Sequence, residues 1–162
     1  LCLEQAILFA KAQIEAGADI IGVGDAIASV AGPVYYRKFA LPYEIKLLSA
    51  IRAMGAKTKL HICGNTTPLL EYLPVEHCDI IDLDWMVPLD RAAEIVQGRC
   101  ALGGNYDPVA VLLQGTPEDV RAAVTACSRM GAQRYISAAG CEVPKTTPEA
   151  NFLAVANTLR LI

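Results

Sequence analysis

The sequence has no long apolar run and no cluster of basic residues, and each absence excludes a class of partner. Its most apolar stretches, such as residues 108–113, are far shorter than the ~20 residues that a membrane-spanning helix needs. Its 14 Lys and Arg residues are scattered, and against 17 Asp and Glu they give a formal net charge of -3. Nucleic acids and anionic membranes are bound by clustered Lys and Arg. We therefore expect no nucleic acid and no membrane among the partners.

The chain also lacks a secretory signal and a regular spacing of cysteines. Residues 1–16 carry Glu4, Lys11 and Glu15 in an amphipathic pattern, where a signal peptide has an uninterrupted apolar segment. The six cysteines are spread irregularly over 162 residues, which is typical of reduced thiols and not of a disulfide framework. These features predict a cytoplasmic protein.

Apolar residues are abundant, at 54% of the chain, which indicates a large buried core. A length of 162 residues suits one domain, residues 1–162. Short apolar segments alternate with amphipathic ones, which predicts strands alternating with helices. The predicted strands are residues 19–24, 58–63, 79–85, 100–104 and 134–139. The predicted helices are residues 3–16, 42–54, 68–73, 89–96, 116–130 and one that opens at Thr146, with a loop through Gly32 and Pro33 before the second.

Several helix ends carry recognisable signals. Residues 116–119 (Thr-Pro-Glu-Asp) combine a capping threonine, a proline at the first helical position and acids at the positive end of the helix dipole. Thr146 and Glu149 have the spacing of a capping box. Gly55 and Gly131 are placed to end the helices that precede them.

Strands alternating with helices predict an α/β fold with a parallel sheet covered by helices. A doubly wound open sheet and part of a (β/α)8 TIM barrel both fit. No glycine-rich dinucleotide fingerprint follows the first strand, and polar residues lie where strands end, as in barrel active sites. Five strands, against eight in a complete barrel, correspond to about the last five β/α units. The polar residues at strand ends are Asp25, His61, Cys63, Asp84, Asn105 and Cys141.

Three of these residues carry imidazole or thiol side chains, which suit zinc. His61 and Cys63 are two positions apart in a predicted strand, so they project from one face, and Cys141 closes another predicted strand. One imidazole and two thiolates suit zinc and leave its fourth position open for chemistry. A hydrogen-bonded strand histidine with small buried cysteines is the other interpretation. Spacing alone favours that second interpretation, because a single H-x-C is not a structural zinc motif.

Three sequence motifs occur in a fixed order along the chain: residues 60–65 (Leu-His-Ile-Cys-Gly-Asn), 82–85 (Asp-Leu-Asp-Trp) and 103–108 (Gly-Gly-Asn-Tyr-Asp-Pro). With them the sequence resembles the uroporphyrinogen decarboxylase superfamily, and the resemblance runs through essentially the whole chain. It implies a (β/α)8 barrel, of which residues 1–162 would be the C-terminal portion. A missing N-terminal portion of the barrel, or another chain, would then cover the open sheet edges.

The superfamily has two main branches, and residues 138–144 (Ala-Ala-Gly-Cys-Glu-Val-Pro) separate them. The metal-free decarboxylases carry an Asn-Leu-Gly-His-Gly type sequence here, whereas this chain has Cys141 in place of that histidine. It is similar instead to the corrinoid-dependent methyltransferases. That resemblance implies His61, Cys63 and Cys141 as zinc ligands, methylcobalamin on a corrinoid protein as methyl donor, and a small-molecule thiol such as coenzyme M as acceptor.

Three further residues are candidates for catalysis, each with a structural alternative. Asp25 would bind substrate or brace the metal ligands, Asp84 would orient His61, and Asn105 would contact substrate. Structural carboxylates at strand ends and a turn-forming asparagine are the alternatives. Glu142 would be a fourth ligand or a hydrogen-bond partner of a ligand, and an exposed loop carboxylate is the favoured alternative. A packing role away from the strand ends is expected for Cys2, Cys78, Cys100 and Cys127, and a surface position for His77. Trp85 and Tyr106 either line a substrate mouth or pack in the core or at the rim.

Three other functions stay open. A metal-free decarboxylase acting on a porphyrinogen or similar acid is one, although Cys141 argues against it. A relative of cobalamin-independent methionine synthase shares the zinc-thiolate chemistry on a similar barrel but matches less closely in its local motifs. The third is a non-enzymatic domain that docks a corrinoid protein or binds zinc structurally.

Overall fold

A computed structural model describes residues 1–130 and 134–162. The described residues contain a five-stranded parallel sheet whose strands are hydrogen-bonded in chain order. The strands are β1 (Ile20–Asp25), β2 (Lys57–Ile62), β3 (Ile80–Leu83), β4 (Ala101–Tyr106) and β5 (Tyr135–Ala139). Parallel neighbours need a crossover between them, and helical segments supply each one, as in consecutive β/α units of a barrel.

The helical segments lie before, between and after the strands. The α-helices are α1 (Cys2–Glu15), α2 (Ala28–Tyr35), α3 (Leu41–Ala53), α4 (Leu89–Val96), α5 (Pro117–Met130) and α6 (Glu149–Leu159). Shorter segments are π-helical at Tyr36–Ala40 and Pro108–Leu113 and 3-10 helical at Thr67–Tyr72. Within the described residues, no helix combines the length and apolar character needed to cross a bilayer. The cytoplasmic location stays a prediction.

The expected loop through Gly32 and Pro33 is wrong, because this segment is helical on both sides of a kink. Gly32 has φ 76° and ψ 170°, which interrupts α2, and Pro33 then begins the next turn. Proline is tolerated in a first helical turn, where its missing N–H has no intrahelical partner. The Gly-Pro pair therefore redirects a helix instead of replacing one.

One predicted helix start is confirmed and one is wrong. The Thr116 hydroxyl donates to the Asp119 carboxylate at 2.7 Å and accepts from the Asp119 N–H at 3.3 Å, which begins α5. The Thr146–Glu149 capping box does not form, because α6 begins only at Glu149, after the extended Pro148, with no side-chain cap. Gly131, predicted to end α5, lies outside the described residues.

The two faces of the sheet have different characters. On one face, strand residues such as Leu60 and Leu83 are buried in a core cluster with helix residues such as Leu48 and Val124. The opposite face is polar and glycine-rich, since aligned residues of a parallel sheet share a face. Register aligns Gly22 with Lys59, Gly24 with His61, His61 with Asp82, and Asp82 with Gly103.

The cysteines away from the strand ends divide into two groups. Cys78, Cys100 and Cys127 are buried, as predicted for packing residues. Cys2 is exposed on α1, so the prediction that it is a packing residue is wrong. Burial raises the pKa of the Cys100 thiol to about 11, which keeps it in the neutral form that suits an apolar site.

Candidate metal centre

The structure brings His61, Cys63 and Cys141 together. One nitrogen and two sulfur atoms from these side chains lie within 4.8 Å of one another. Ligands around a tetrahedral ion with bonds of 2.0–2.3 Å are separated by roughly 3.3–3.8 Å, so small side-chain adjustments would close the site. The convergence predicted from the sequence is therefore present in the fold.

Sheet curvature makes this convergence possible. β2 and β5 are separated by β3 and β4, which in a flat sheet would place them about 14 Å apart. Cys63 directly follows β2, where its N–H donates to the Asp25 carbonyl at 3.0 Å and extends the β1–β2 ladder. Cys141 follows β5 after Gly140. The curved sheet turns both strand ends toward one point, as a barrel wall does.

His61 is oriented by a main-chain carbonyl of the neighbouring strand. Its Nδ1 lies 3.0 Å from the Asp82 carbonyl oxygen, and an N–H at Nδ1 leaves the lone pair on Nε2. Nε2 is buried and has no hydrogen-bond partner in the described part of the chain. A buried, unpartnered imidazole nitrogen beside two thiols is the state in which histidine binds a metal.

The expectation that Asp84 orients His61 is wrong, because its carboxylate supports the main chain around the site instead. Asp84 is buried, and its two oxygens accept from the Gly64 N–H at 2.8 Å and the Met86 N–H at 3.3 Å. Gly64 directly follows Cys63, so Asp84 holds the turn that carries this thiol. A direct catalytic role of Asp84 stays a prediction.

Asn105 and Asp25 have comparable anchoring contacts. The buried Asn105 amide donates to the Asp84 carbonyl at 3.0 Å and to the Val87 carbonyl at 2.8 Å, which fastens the loop after β3. Asp25 accepts from the N–H groups of Ile27 and Ala28 at 2.8 and 2.9 Å, which starts α2. Contacts of either side chain with substrate stay predictions.

Sequence patterns gave no signal for two of the residues that support the site. The Ser29 hydroxyl of α2 donates to the Cys63 carbonyl at 2.6 Å, across 34 positions of sequence. Asp82 orients His61 through its main-chain carbonyl, a group that every residue type carries. Neither contact follows from residue type or spacing.

The two thiols influence each other electrostatically. Burial and the neighbouring Cys141 thiol raise the pKa of Cys63 above its ordinary value. Two thiolates this close repel each other, so the second negative charge is unfavourable without a compensating cation. A divalent metal supplies that compensation and keeps coordinating thiols deprotonated.

A cavity of about 560 Å³ adjoins the three side chains. Glu142 lines its rim and is exposed, and it is not part of the His61–Cys63–Cys141 cluster. This placement favours the exposed loop carboxylate over a fourth ligand. Gly22 and Gly24 line the cavity without side chains, and a Cβ added to either would meet no described atom within 4 Å. The site therefore has room for a further ligand beside three protein groups.

The other residues singled out from the sequence lie in varied surroundings. His77 is partly exposed, as expected of a surface residue, and its Nδ1 lies 3.2 Å from the Ser49 hydroxyl. Tyr106 is buried in the core cluster, which agrees with packing. Trp85 is half-exposed beside Gly140.

Gly140 permits a close approach that places Cys141. Its N–H donates to the Tyr106 carbonyl at 2.9 Å. A Cβ at this position would lie 2.8 Å from the Cα of Trp85 and would also overlap the Trp85 nitrogen. The obstacle is main chain, which cannot rotate away as a flexible side chain does.

Gly140→Ala is therefore expected to destabilise the chain by about 2 kcal/mol, the usual cost of overpacking, and to weaken metal binding by displacing Cys141. Urea unfolding and chelator competition measure the two effects. Gly22→Ala is the matched control, because the added methyl group meets no atom within 4 Å in the part of the chain that the structure describes. Equal stability of the two variants would contradict the steric argument.

The comparison with protein families matches this chain to "Uroporphyrinogen decarboxylase (URO-D)" over residues 1–161. The chain belongs to the uroporphyrinogen decarboxylase family. A relative named methylcobamide:CoM methyltransferase MtbA, from Methanosarcina mazei, is 40% identical over 152 residues, which are 93% of this chain and 44% of the relative. A uroporphyrinogen decarboxylase from Streptomyces avermitilis is 31% identical over 143 residues, which are 88% of this chain and 40% of that protein.

Among solved structures, a methyltransferase from Methanosarcina mazei superposes with a TM-score of 0.87 at 26% identity, covering 98% of this chain and 47% of that one. The predicted resemblance is confirmed, and so is the α/β fold with about five units of a larger barrel. The chain spans about half the length of the relatives it matches.

Proposed function

We propose that this chain is part of a zinc-dependent methyltransferase that moves a methyl group from a methyl-corrinoid protein to a small-molecule thiol such as coenzyme M. The proposal is carried by the His61 Nε2, which has no hydrogen-bond partner among the described residues and is buried beside the Cys63 and Cys141 thiols. The relatives named methylcobamide:CoM methyltransferase support the reaction class. Residues 1–162 would form one partial barrel domain, completed by a further portion of the barrel or by another chain.

The residues of the site fit zinc by number and chemistry. His61 would ligate through Nε2, while Cys63 and Cys141 would ligate as thiolates whose two negative charges balance the ion. When bound, zinc supplies a Lewis-acidic centre that favours the thiolate form of an acceptor. Three protein ligands leave one position for that acceptor, which distinguishes a catalytic site from a four-ligand structural one.

The residues of this chain prepare the transfer by orientation. The Asp82 carbonyl fixes the tautomer of His61, and Asp84 and Asn105 hold the main chain next to Cys63 and after β3. The acceptor sulfur, having lost its proton to solvent, attacks the methyl carbon of the corrinoid. A sulfur–carbon bond forms, the carbon–cobalt bond breaks, and its electron pair stays on cobalt, which becomes cobalt(I). The acceptor sulfur must therefore be held on the open side of the site, toward an approaching partner protein.

Metal content and methyl transfer test this proposal together. We expect about one zinc per chain in protein purified without chelator, and zinc-dependent formation of a methyl thioether by the complete barrel from methylcobalamin and 2-mercaptoethanesulfonate. A folded, reduced chain that takes up no zinc would contradict the proposal. So would a zinc-loaded complete barrel that forms no thioether, whereas residues 1–162 alone are a fragment without the rest of the barrel rim and are expected to be less active or inactive. Zinc-free decarboxylation of a porphyrinogen would favour the metal-free branch, to which some relatives belong.

A further inference from the structure

Lys59 lies on the same face of β2 as His61, two positions earlier in the strand, in line with Cys63 just beyond the strand end. Two residues of a strand span about 6.5–7 Å, so the ammonium group lies one step deeper than the imidazole. All three side chains line the cavity of about 560 Å³. A molecule whose sulfur lies at the candidate metal centre would extend toward Lys59.

Asp82 forms a salt bridge with Lys59 that leaves the ammonium group exposed to the cavity. The Asp82 Oδ2 lies 2.8 Å from the Lys59 Nζ, and the lysine side chain is 42% exposed while the aspartate side chain is 11% exposed. The carboxylate fits against Gly103, where a Cβ would lie 2.8 Å from the Asp82 Oδ1. An ammonium has three donors, and this contact occupies one of them. The pair therefore presents its positive member to the cavity.

Lys59 supplies the positive charge in this cavity. Among the described residues that line it, Lys59 is the one cation, and the acids are Asp82, which is paired, and Glu142, which is at the rim. Gly22 and Gly24 of β1 are aligned with Lys59 and His61 and add no side chains between them. The space between ammonium and metal centre is therefore open and lined by main chain.

We propose that Lys59 binds an acidic group at the far end of the acceptor, so that the site selects short anionic thiols. This inference rests on the proposed function, because it places the acceptor sulfur beside His61, Cys63 and Cys141. A spacer of two or three carbons between sulfur and acid matches one step along β2. A sulfonate or carboxylate there accepts charge-assisted hydrogen bonds from the free donors of Lys59.

Three thiols of the same length test the charge preference: 2-mercaptoethanesulfonate, 2-mercaptoethanol and 2-aminoethanethiol. Isothermal titration of each into the zinc-loaded chain measures binding without relying on turnover. We expect the sulfonate to bind about tenfold more tightly than the alcohol, the effect of one partly exposed charge-assisted contact, and the amine to bind more weakly than the alcohol.

Variants of Lys59 assign the preference to this residue. Lys59→Met is expected to abolish the advantage of the sulfonate over the alcohol, and Lys59→Arg to retain it. Lys59→Met with Asp82→Asn removes both charges, so no unpaired carboxylate remains if the single variant folds poorly. Lys57→Met is the matched control, because Lys57 lies on the same strand and pairs with Asp79 but does not line the cavity.

The outcomes separate this inference from the proposed function. Equal binding of the three thiols by the unaltered chain, or a sulfonate preference that survives both Lys59→Met variants, would overturn the role of Lys59 alone. A zinc-loaded chain that binds none of the thiols would overturn the proposed function. A loss of preference in the Lys57→Met control would trace the effect to net charge and also overturn the role of Lys59.

Discussion

Replacing His61, Cys63 or Cys141 individually with Ala is expected to lower the zinc affinity of the chain by about a hundredfold or more. Zinc bound to folded protein ligands is worth roughly 10–16 kcal/mol, so an even share among four ligands is on the order of 3 kcal/mol each. The expectation depends on geometry, because the three ligand atoms lie within 4.8 Å of one another. Competition with a chromophoric chelator measures the affinity.

A control variant separates loss of a ligand from loss of a thiol. Cys2 is exposed on α1 and far from the cluster in sequence, so Cys2→Ala is expected to leave zinc affinity unchanged. Circular dichroism of each variant checks that the fold is kept. Unchanged zinc affinity in the Cys141→Ala variant would remove this residue from the site and return the cysteines to a packing role.

The stability of Glu44→Gln relative to the unaltered chain is expected to be higher at pH 8 than at pH 5, by on the order of 3 kcal/mol. Glu44 is buried in α3, where its Oε2 accepts from the Tyr36 hydroxyl at 2.7 Å. Its Oε1 is buried and has no partner in the ranges 1–130 and 134–162. Burial raises the pKa of Glu44 from 4.5 to about 7, and the nearby Asp25 carboxylate adds to the increase.

The sign follows from the raised pKa. The folded chain keeps its proton on Glu44 while the unfolded chain loses it above pH 4.5, so folding stability contributed here is present at low pH. That stability is lost as the pH rises toward 7, and the loss is complete above it. Glutamine still accepts from Tyr36 and has no charge to bury, so the variant escapes the loss.

Urea unfolding of both chains at pH 5 and pH 8 measures the difference. Glu94→Gln, at an exposed position of α4, controls for the exchange of a carboxylate for an amide. The unaltered chain should lose stability between the two pH values relative to Glu44→Gln. Parallel pH dependence of the two chains would show that Glu44 ionises in the folded state as readily as in the unfolded one.

Some of the site followed from the sequence because its determinants are local. His61 in β2 and Cys63 directly after it project to one side through the two-residue period of extended chain, and parallel strands bring their carboxyl ends to one edge. Thr116 caps α5 through contacts within three positions. Patterns of this kind depend on residues only a few positions apart, whose relative placement is nearly fixed by the local backbone conformation.

Other predictions failed because one local pattern was compatible with more than one structure. The Thr146–Glu149 spacing indicates a capping box, but Pro148 is extended and α6 starts only at Glu149. Asp84 and Asp82 are both near His61 in register, and a main-chain carbonyl made the contact that a carboxylate was expected to make. Spacing identifies the candidates for a contact and does not choose among them.

The sequence by itself determined the order of strands and helices, the polar character of the strand ends, the family and the three candidate ligands. Only the tertiary structure decided that β5 curves back toward β2, that Asp82 presents the Lys59 ammonium to the cavity, and that Gly140 meets the main chain of Trp85. The physical reason is the distance along the chain over which each interaction acts. Propensity and periodicity act within a few residues, whereas sheet curvature depends on how all the helices pack against the sheet, which no single segment encodes.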